Sequence, residues 1–273
     1  MKVKLYNKLI IPAVLLVFVL RFAEISFLAD RGTSHYIAGD GFHYIFWAVY
    51  FLIAAFFASS FFTLSKTNFG FGYLKKTTSH LYLFMVPALL LFCDTAISVI
   101  NHIAVRPSVF EIFLTVFEFL AAVAFVLLSV FPAKVRFRSA ATKLFTIAIP
   151  VYFVLRLFYI NIVRYGFISK PYDTFEIFKT AFLALAFSEI AYMAVAKATR
   201  KKLSAYIYLS AIFMSIRLSD VLYSVLNNAA ADTSVSYISQ AADLFCIAAL
   251  FLINMNIYKK IRKPKEGEGT ADE

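Results

Sequence analysis

Apolar residues in this chain come in long unbroken stretches and do not alternate with polar ones. Eight stretches stand out: Leu9–Leu28, Tyr44–Leu64, Leu81–His102, Phe110–Phe131, Leu144–Val163, Phe175–Val195, Ala205–Leu226 and Val235–Ile257. Each is close to the roughly 20 residues a helix needs to cross the hydrocarbon core of a bilayer. Barrel strands would alternate over about ten residues, whereas these segments are apolar all round. The pattern predicts an all-α polytopic membrane protein with eight transmembrane helices. It divides the chain into a short segment 1–8, a membrane domain 9–258 and a basic-then-acidic tail 259–273. The end of that tail, KPKEGEGTADE from Lys263, has no apolar period and reads as disordered. The first stretch reads as a retained anchor and not as a signal peptide. Its apolar run is too long, and Ser26-Phe27-Leu28-Ala29 lacks the small-x-small cleavage pattern.

Charge between the stretches predicts orientation. Lys2, Lys4 and Lys8 precede the first; Lys66, Lys75 and Lys76 follow the second; Lys134, Arg136, Arg138 and Lys143 follow the fourth. Lys197, Arg200, Lys201 and Lys202 follow the sixth, and Lys259, Lys260, Arg262, Lys263 and Lys265 follow the eighth. These are 19 of the 27 basic residues, all on one side of an eight-helix arrangement; the opposite loops hold Arg31, Arg106, Arg164 and Lys170. The positive-inside rule then makes both termini cytoplasmic, and an odd number of spans would put a basic cluster on the wrong side. The formal charge of +11 is accounted for in this way. Nucleic acid is not an expected partner, because the basic residues sit in short separate loops and not on one face; the lipid bilayer is.

The chain also repeats itself. Phe110-Glu111-Ile112-Phe113 recurs as Phe175-Glu176-Ile177-Phe178, and at that offset of 65 the stretch from Phe110 matches the stretch from Phe175 at 10 of 25 positions. Val19-Leu20-Arg21-Phe22, Val154-Leu155-Arg156-Leu157 and Ser215-Ile216-Arg217-Leu218 agree more weakly. Lys66, Lys134, Lys197 and Lys259 close the even stretches at spacings of 68, 63 and 62. Such a period predicts four parallel two-helix hairpin repeats, packed as a compact bundle with pseudo-symmetry about the membrane normal.

Composition narrows the class further. The chain has 273 residues, 62% hydrophobic and 16% charged, with 32 Phe, 8 Gly and 2 Cys. A disulfide scaffold, a disordered regulator and a Rossmann or P-loop enzyme are excluded, the last because neither GxGxxG nor GxxxxGK[ST] occurs. High Phe, Tyr, Ile and Lys content points to a cell membrane, specifically a bacterial cytoplasmic membrane.

Charged residues inside a membrane helix are functional candidates by default. At the ~1.5 Å rise per residue of a helix, Arg21, Arg156 and Arg217 lie at matching depths, about 18 Å in. Glu24, Asp94, Glu118, Asp220 and Asp243 fall in the same layer, slightly outside the midplane. These eight residues are the predicted ligand-binding set. Two readings compete. Arg21–Glu24 and Arg217–Asp220 are i,i+3 pairs that can simply neutralise each other. Alternatively the layer lines a polar cavity open to the outside, where guanidinium groups hold a carboxylate or phosphate and the acids hold a cation. The second reading is favoured, since eight charges exceed what stapling requires.

Other groups read more plainly. Lys179 is placed to snorkel toward the outer edge, with Glu176 one turn away. His35, His43 and His102 lack metal-ligand spacing, so no metal and no cofactor are expected. Cys93 and Cys246 read as small apolar residues, and Tyr36, Tyr44 and Trp47 as interfacial anchors. The loop Ala29–His43 is read as a cap over the cavity. No catalytic motif stands out; Asp94 and His102, eight residues apart on one helix face, give the only hydrolase arrangement, and the enzyme reading ranks last. All eight glycines lie outside the apolar stretches, which disfavours the unwound helices of transporters. The reading that results is a ligand-binding or accessory membrane protein taking a small charged ligand from the extracytoplasmic side. A secondary transporter of a charged or zwitterionic solute ranks second, and an intramembrane hydrolase third.

Overall fold

The structure is a computed structural model and describes residues 2–28, 41–64, 66–70, 82–130, 140–164, 171–193, 197–227 and 236–262. Eight long helices succeed one another: α1 (Lys2–Leu28), α2 (Phe42–Ala58), α3 (Met85–Ala104), α4 (Val109–Val130), α5 (Ala140–Arg164), α6 (Pro171–Met193), α7 (Arg200–Leu226) and α8 (Tyr237–Arg262). Each coincides with one apolar stretch. A one-turn helix, Ser60–Thr63, prolongs α2 beyond Ser59, and a 3-10 turn, Tyr82–Phe84, leads into α3. Several helices outrun the apolar sequence: α1 starts at Lys2, α7 at Arg200, and α8 continues to Arg262. Lysine and arginine are good helix formers, so hydropathy marks the apolar part of a helix and understates its length. Pro12 and Pro150 lie within α1 and α5 without ending them. Among the described residues no helix contains glycine. The loop before Gly41 and the tail beyond Arg262 lie outside the described residues.

Six segments are long and apolar enough to cross a membrane: Leu5–Leu28, Phe42–Thr63, Tyr82–Ala104, Val109–Val130, Arg200–Leu226 and Tyr237–Ile257. The surface agrees with that character. On α1, Ile11, Leu15 and Val19 project outward at every fourth residue, while Ile10, Val17, Arg21 and Glu24 are buried on the opposite face. A helix facing water shows the reverse. Apolar side chains face outward and charges inward when the surroundings are hydrocarbon.

Helices α3 to α8 pack in succession, and α8 returns to α3. The hairpin α1–α2 packs on α7, which therefore has neighbours on most of its circumference. Its buried residues run almost continuously from Leu203 to Asp220. Phe84, Phe125, Phe153 and Phe187 stack between α3, α4, α5 and α6 at centroid distances of 5.3 to 6.1 Å. Ala121, Ala122 and Ala124 are fully buried, and such small side chains let α4 approach its neighbours closely.

The end of the bundle where α1 begins is tied by polar contacts. Strand β1 (Asn68–Phe69) pairs antiparallel with β2 (Ala198–Thr199), Asn68 opposite Thr199. Arg200 N–H donates to the Thr67 carbonyl at 3.1 Å. The Tyr6 hydroxyl bonds those of Ser59 (2.9 Å) and Thr63 (3.0 Å). Tyr208 donates to Asn7, and Ser204 to Asn254.

Candidate functional site

The sequence-level candidates separate into two regions. Arg21, Glu24, Arg156, Arg217, Asp220 and Asp243 join one ion-pair network; Asp94 and Glu118 do not belong to it and face a cavity beside it.

The network crosses the bundle from α1 to α8. Tyr50 on α2 donates to Glu24 Oε2 at 2.7 Å, and Arg21 Nη1 donates to the same oxygen at 2.8 Å. Arg21 Nε then reaches Asp220 Oδ1 at 2.7 Å, and Arg217 Nη1 holds Asp220 Oδ2 at 3.1 Å. Arg217 Nε donates to Glu176 Oε2 at 3.1 Å, while Arg156 Nη2 (3.0 Å) and Lys179 Nζ (2.7 Å) meet Glu176 Oε1. Asp243 closes the chain. Arg156 grips its two oxygens at 3.0 and 2.8 Å, and Lys179 Nζ lies 2.7 Å away. The planar fork of arginine matches a carboxylate in this two-bond geometry.

The count of charges explains why these groups are tolerated inside the bundle. Arg21, Arg156, Lys179 and Arg217 face Glu24, Glu176, Asp220 and Asp243, so four positive charges meet four negative ones. All eight are buried. Each bridging carboxylate answers more than one cation, which offsets part of the several kcal/mol that desolvating each ion costs. Lys179 does not reach the membrane edge as its position suggested: it is 0% exposed. The i,i+3 spacing of Glu176 and Lys179 aims both inward, and Asp243 on the neighbouring helix supplies a second partner.

The cavity lies between α3, α4, α5 and α8, toward the end opposite the strand pair. Its volume is about 170 Å³, and its polar wall is Asp94, Ser98, His102, Glu111, Thr115, Glu118, Tyr152, Arg156, Tyr159, Ser236 and Ser239. Four helical stripes build that wall. Asp94, Ser98 and His102 are successive i,i+4 positions of α3. Glu111, Thr115 and Glu118 are i, i+4 and i+7 of α4. Tyr152, Arg156 and Tyr159 repeat that spacing on α5, and Ser236 and Ser239 continue toward Asp243 on α8. A polar stripe at helical spacing within an apolar stretch is legible in a sequence. Ser98, Thr115, Tyr152, Tyr159, Ser236 and Ser239 are the residues missed when charge alone is followed.

The carboxyl groups of this wall meet neutral donors and, for Asp94 and Glu118, each other. The Ser236 hydroxyl donates to Asp94 Oδ1 at 2.6 Å, and the Tyr152 hydroxyl reaches Glu118 Oε1 at 3.5 Å. Glu111 accepts the Ser108 N–H at 2.7 Å while its own N–H donates to the Ser108 hydroxyl at 3.2 Å. This reciprocal pair is a capping box, so Glu111 has a structural task at the start of α4. Among the described residues Asp94 and Glu118 have no ion-pair partner, although they are only 8% and 5% exposed. Arg156 belongs to both regions.

The remaining candidates stand apart. His102 lines the cavity with Asp94. His43 sits beside Tyr44 and Trp47 at the start of α2, and His35 and Tyr36 lie outside the described residues. Among the described residues no cluster of three or more His, Cys, Asp or Glu is grouped to hold a metal ion. Glu189 serves the strand pair: it accepts the Thr199 N–H at 2.8 Å and lies 3.9 Å from Lys202 Nζ. Cys93 is exposed and Cys246 buried, both unpaired.

Fold and site together define a class: a helical protein of membrane-spanning character that carries a neutralised ion-pair network and an acidic cavity inside its bundle. Comparison with protein families, curated proteins and solved structures finds no match.

Proposed function

We propose that this chain is a cell-membrane protein that binds a small charged ligand from the extracytoplasmic side, in the cavity between α3, α4, α5 and α8. In this reading all eight helices span the bilayer as four parallel hairpins, with both termini in the cytoplasm. The observation that carries the binding reading is the pair of buried carboxylates, Asp94 and Glu118, placed on a cavity wall without a counter-ion among the described residues. Nothing in packing alone calls for such a pair, since unpaired buried charge is costly.

Several features support the span count. α5 and α6 have 25 and 23 residues, which at ~1.5 Å per residue exceeds the ~30 Å hydrocarbon core. The charges that lower the apolar character of α6, Glu176 and Lys179, are fully buried and so present nothing to lipid. The distribution of Lys and Arg supports the orientation. Burial of Arg21, Arg156 and Arg217 within one network agrees with the weak repeat around them. Binding is favoured over transport because the opposite end of the bundle is occupied by structure: Glu189, the inner acid best placed for a polar path, holds β2.

The test is directional thiol labelling. On a Cys93→Ala, Cys246→Ala background, Ser98→Cys and Ser236→Cys are exposed to a membrane-impermeant maleimide in right-side-out and inverted vesicles. Both label from the outside, while Lys66→Cys and Lys202→Cys label in inverted vesicles. Labelling of the Ser98→Cys thiol from the cytoplasmic side alone overturns the reading.

A further inference from the structure

Charge decides which ligand suits the cavity. Five acidic or basic side chains line it: Asp94, Glu111, Glu118, His102 and Arg156. The positive charge of Arg156 is already answered by Asp243 and Glu176, and Glu111 is held by the capping box. The unanswered charge is that of the pair Asp94 and Glu118, whose carboxyl groups lie within hydrogen-bond reach of each other, and it is negative. This reverses the simplest expectation from three arginines at one depth, namely a site for a carboxylate or phosphate. Those guanidinium groups are engaged with acids of their own.

A second observation points the same way and refines it. Arg156 is 3% exposed, it lines the cavity, and its Nε is buried with no hydrogen-bond partner. An orphaned buried donor calls for an acceptor, and an oxygen on the ligand is one. The acceptors on the wall are one adjacent pair of carboxyl groups, Asp94 and Glu118, and several hydroxyls spread around them. A divalent metal needs its oxygen ligands drawn together at 2.0–2.6 Å, and the described residues offer no such group. A primary ammonium carries three N–H donors that reach dispersed acceptors at hydrogen-bond distance. The volume of about 170 Å³ is below the roughly 300 Å³ at which drug-sized pockets begin.

We propose that the cavity binds a small primary amine in its ammonium form, bearing one oxygen acceptor, with the Asp94–Glu118 pair as counter-ion and Arg156 Nε as donor to the oxygen. This rests on the cavity being a ligand site reached from outside. An amino alcohol has this chemistry, free in solution or as the headgroup of an aminophospholipid.

The experiment is calorimetric titration of the purified full chain in phosphatidylcholine nanodiscs with ethanolamine, tetramethylammonium and acetate. Ethanolamine binds, whereas the other two bind at least about tenfold more weakly. Asp94→Asn and Glu118→Gln each weaken ethanolamine by about tenfold or more, the scale of losing one partner of a buried charge pair. Ser188→Ala, whose hydroxyl bonds the Ala184 carbonyl away from the cavity, retains binding, and unchanged thermal melts of the two acid variants control for loss of fold. Nanodiscs containing phosphatidylethanolamine separate the two sources: competition with free ethanolamine assigns the headgroup, and undiminished binding assigns the free amine. Acetate binding in preference to ethanolamine overturns the proposal, as does wild-type affinity in both folded acid variants. Outside labelling of the Ser98→Cys thiol without protection by ethanolamine refutes the amine alone, and absence of outside labelling refutes the cavity reading beneath it.

Discussion

The two polar regions of this bundle meet at Arg156 and answer charge in opposite ways. In the network, Glu176 touches Arg156, Lys179 and Arg217. In the cavity, Glu118 has the hydroxyl of Tyr152 at 3.5 Å and the carboxyl group of a second acid, Asp94, beside it. Both acids lie on even helices among apolar neighbours, and both are buried. One belongs to a closed set of equal and opposite charges. The other leaves a charge for something outside the described residues to balance. A carboxylate buried in hydrocarbon surroundings is therefore no measure of function by itself; what matters is whether the bundle supplies the counter-ion.

Isosteric substitutions break this comparison most directly. Glu176→Gln removes the acid that three cations share and leaves them buried with too few partners. The expected loss is about 3–5 kcal/mol, read as a large drop in thermal stability in detergent. A loss below about 1 kcal/mol would mean that water reaches the network and screens it. Glu111→Ala tests the structural duty of Glu111, because it removes the carboxylate that accepts the Ser108 N–H. Losing that side of the capping box should cost about 1 kcal/mol, again read from the melting temperature; no change would return Glu111 to the free acids of the cavity. Glu118→Gln has the smallest expected effect on fold. Without ligand it should alter stability by less than about 1 kcal/mol, or raise it, because it removes an unbalanced buried charge. Destabilisation on the scale of Glu176→Gln would show that Glu118 is a staple as well.

Likeness of local sequence did not predict which role an acid takes. Glu111 and Glu176 occupy the same place in the matching Phe-Glu-Ile-Phe segments. Glu176 is fully buried at the centre of the network, whereas Glu111 caps α4 at the rim of the cavity. The difference comes from neighbours distant in sequence. Glu176 meets Arg217 on α7 and Arg156 on α5, whereas the preceding Ser108 claims Glu111. Lys179 makes the same point. Its place near the end of an apolar stretch suggested an edge position, and Asp243, 64 residues later in the chain, draws it inward.

Helix number, order and approximate extent were legible in the residues alone, because a run of apolar side chains near 20 residues long has few alternatives. The inward burial of Arg21, Arg156 and Arg217 was legible for a related reason: exposing charge to hydrocarbon is costly at any packing. The extension of α1, α7 and α8 into basic residues was not, because hydropathy reports solvent preference and not helix propensity. The polar stripes of α3, α4 and α5 were present in the spacing of Asp94, Ser98 and His102 and of their counterparts. Their convergence on one cavity depended on which helices are neighbours.

The residues by themselves thus determined the helical class and the burial of the charged groups, both consequences of local apolar runs and of solvation. Only the tertiary structure decided which charge meets which. Ion pairing depends on contacts between helices far apart in the chain, so it divided eight similar candidates into six that neutralise one another and two, Asp94 and Glu118, that pair with each other on a cavity wall.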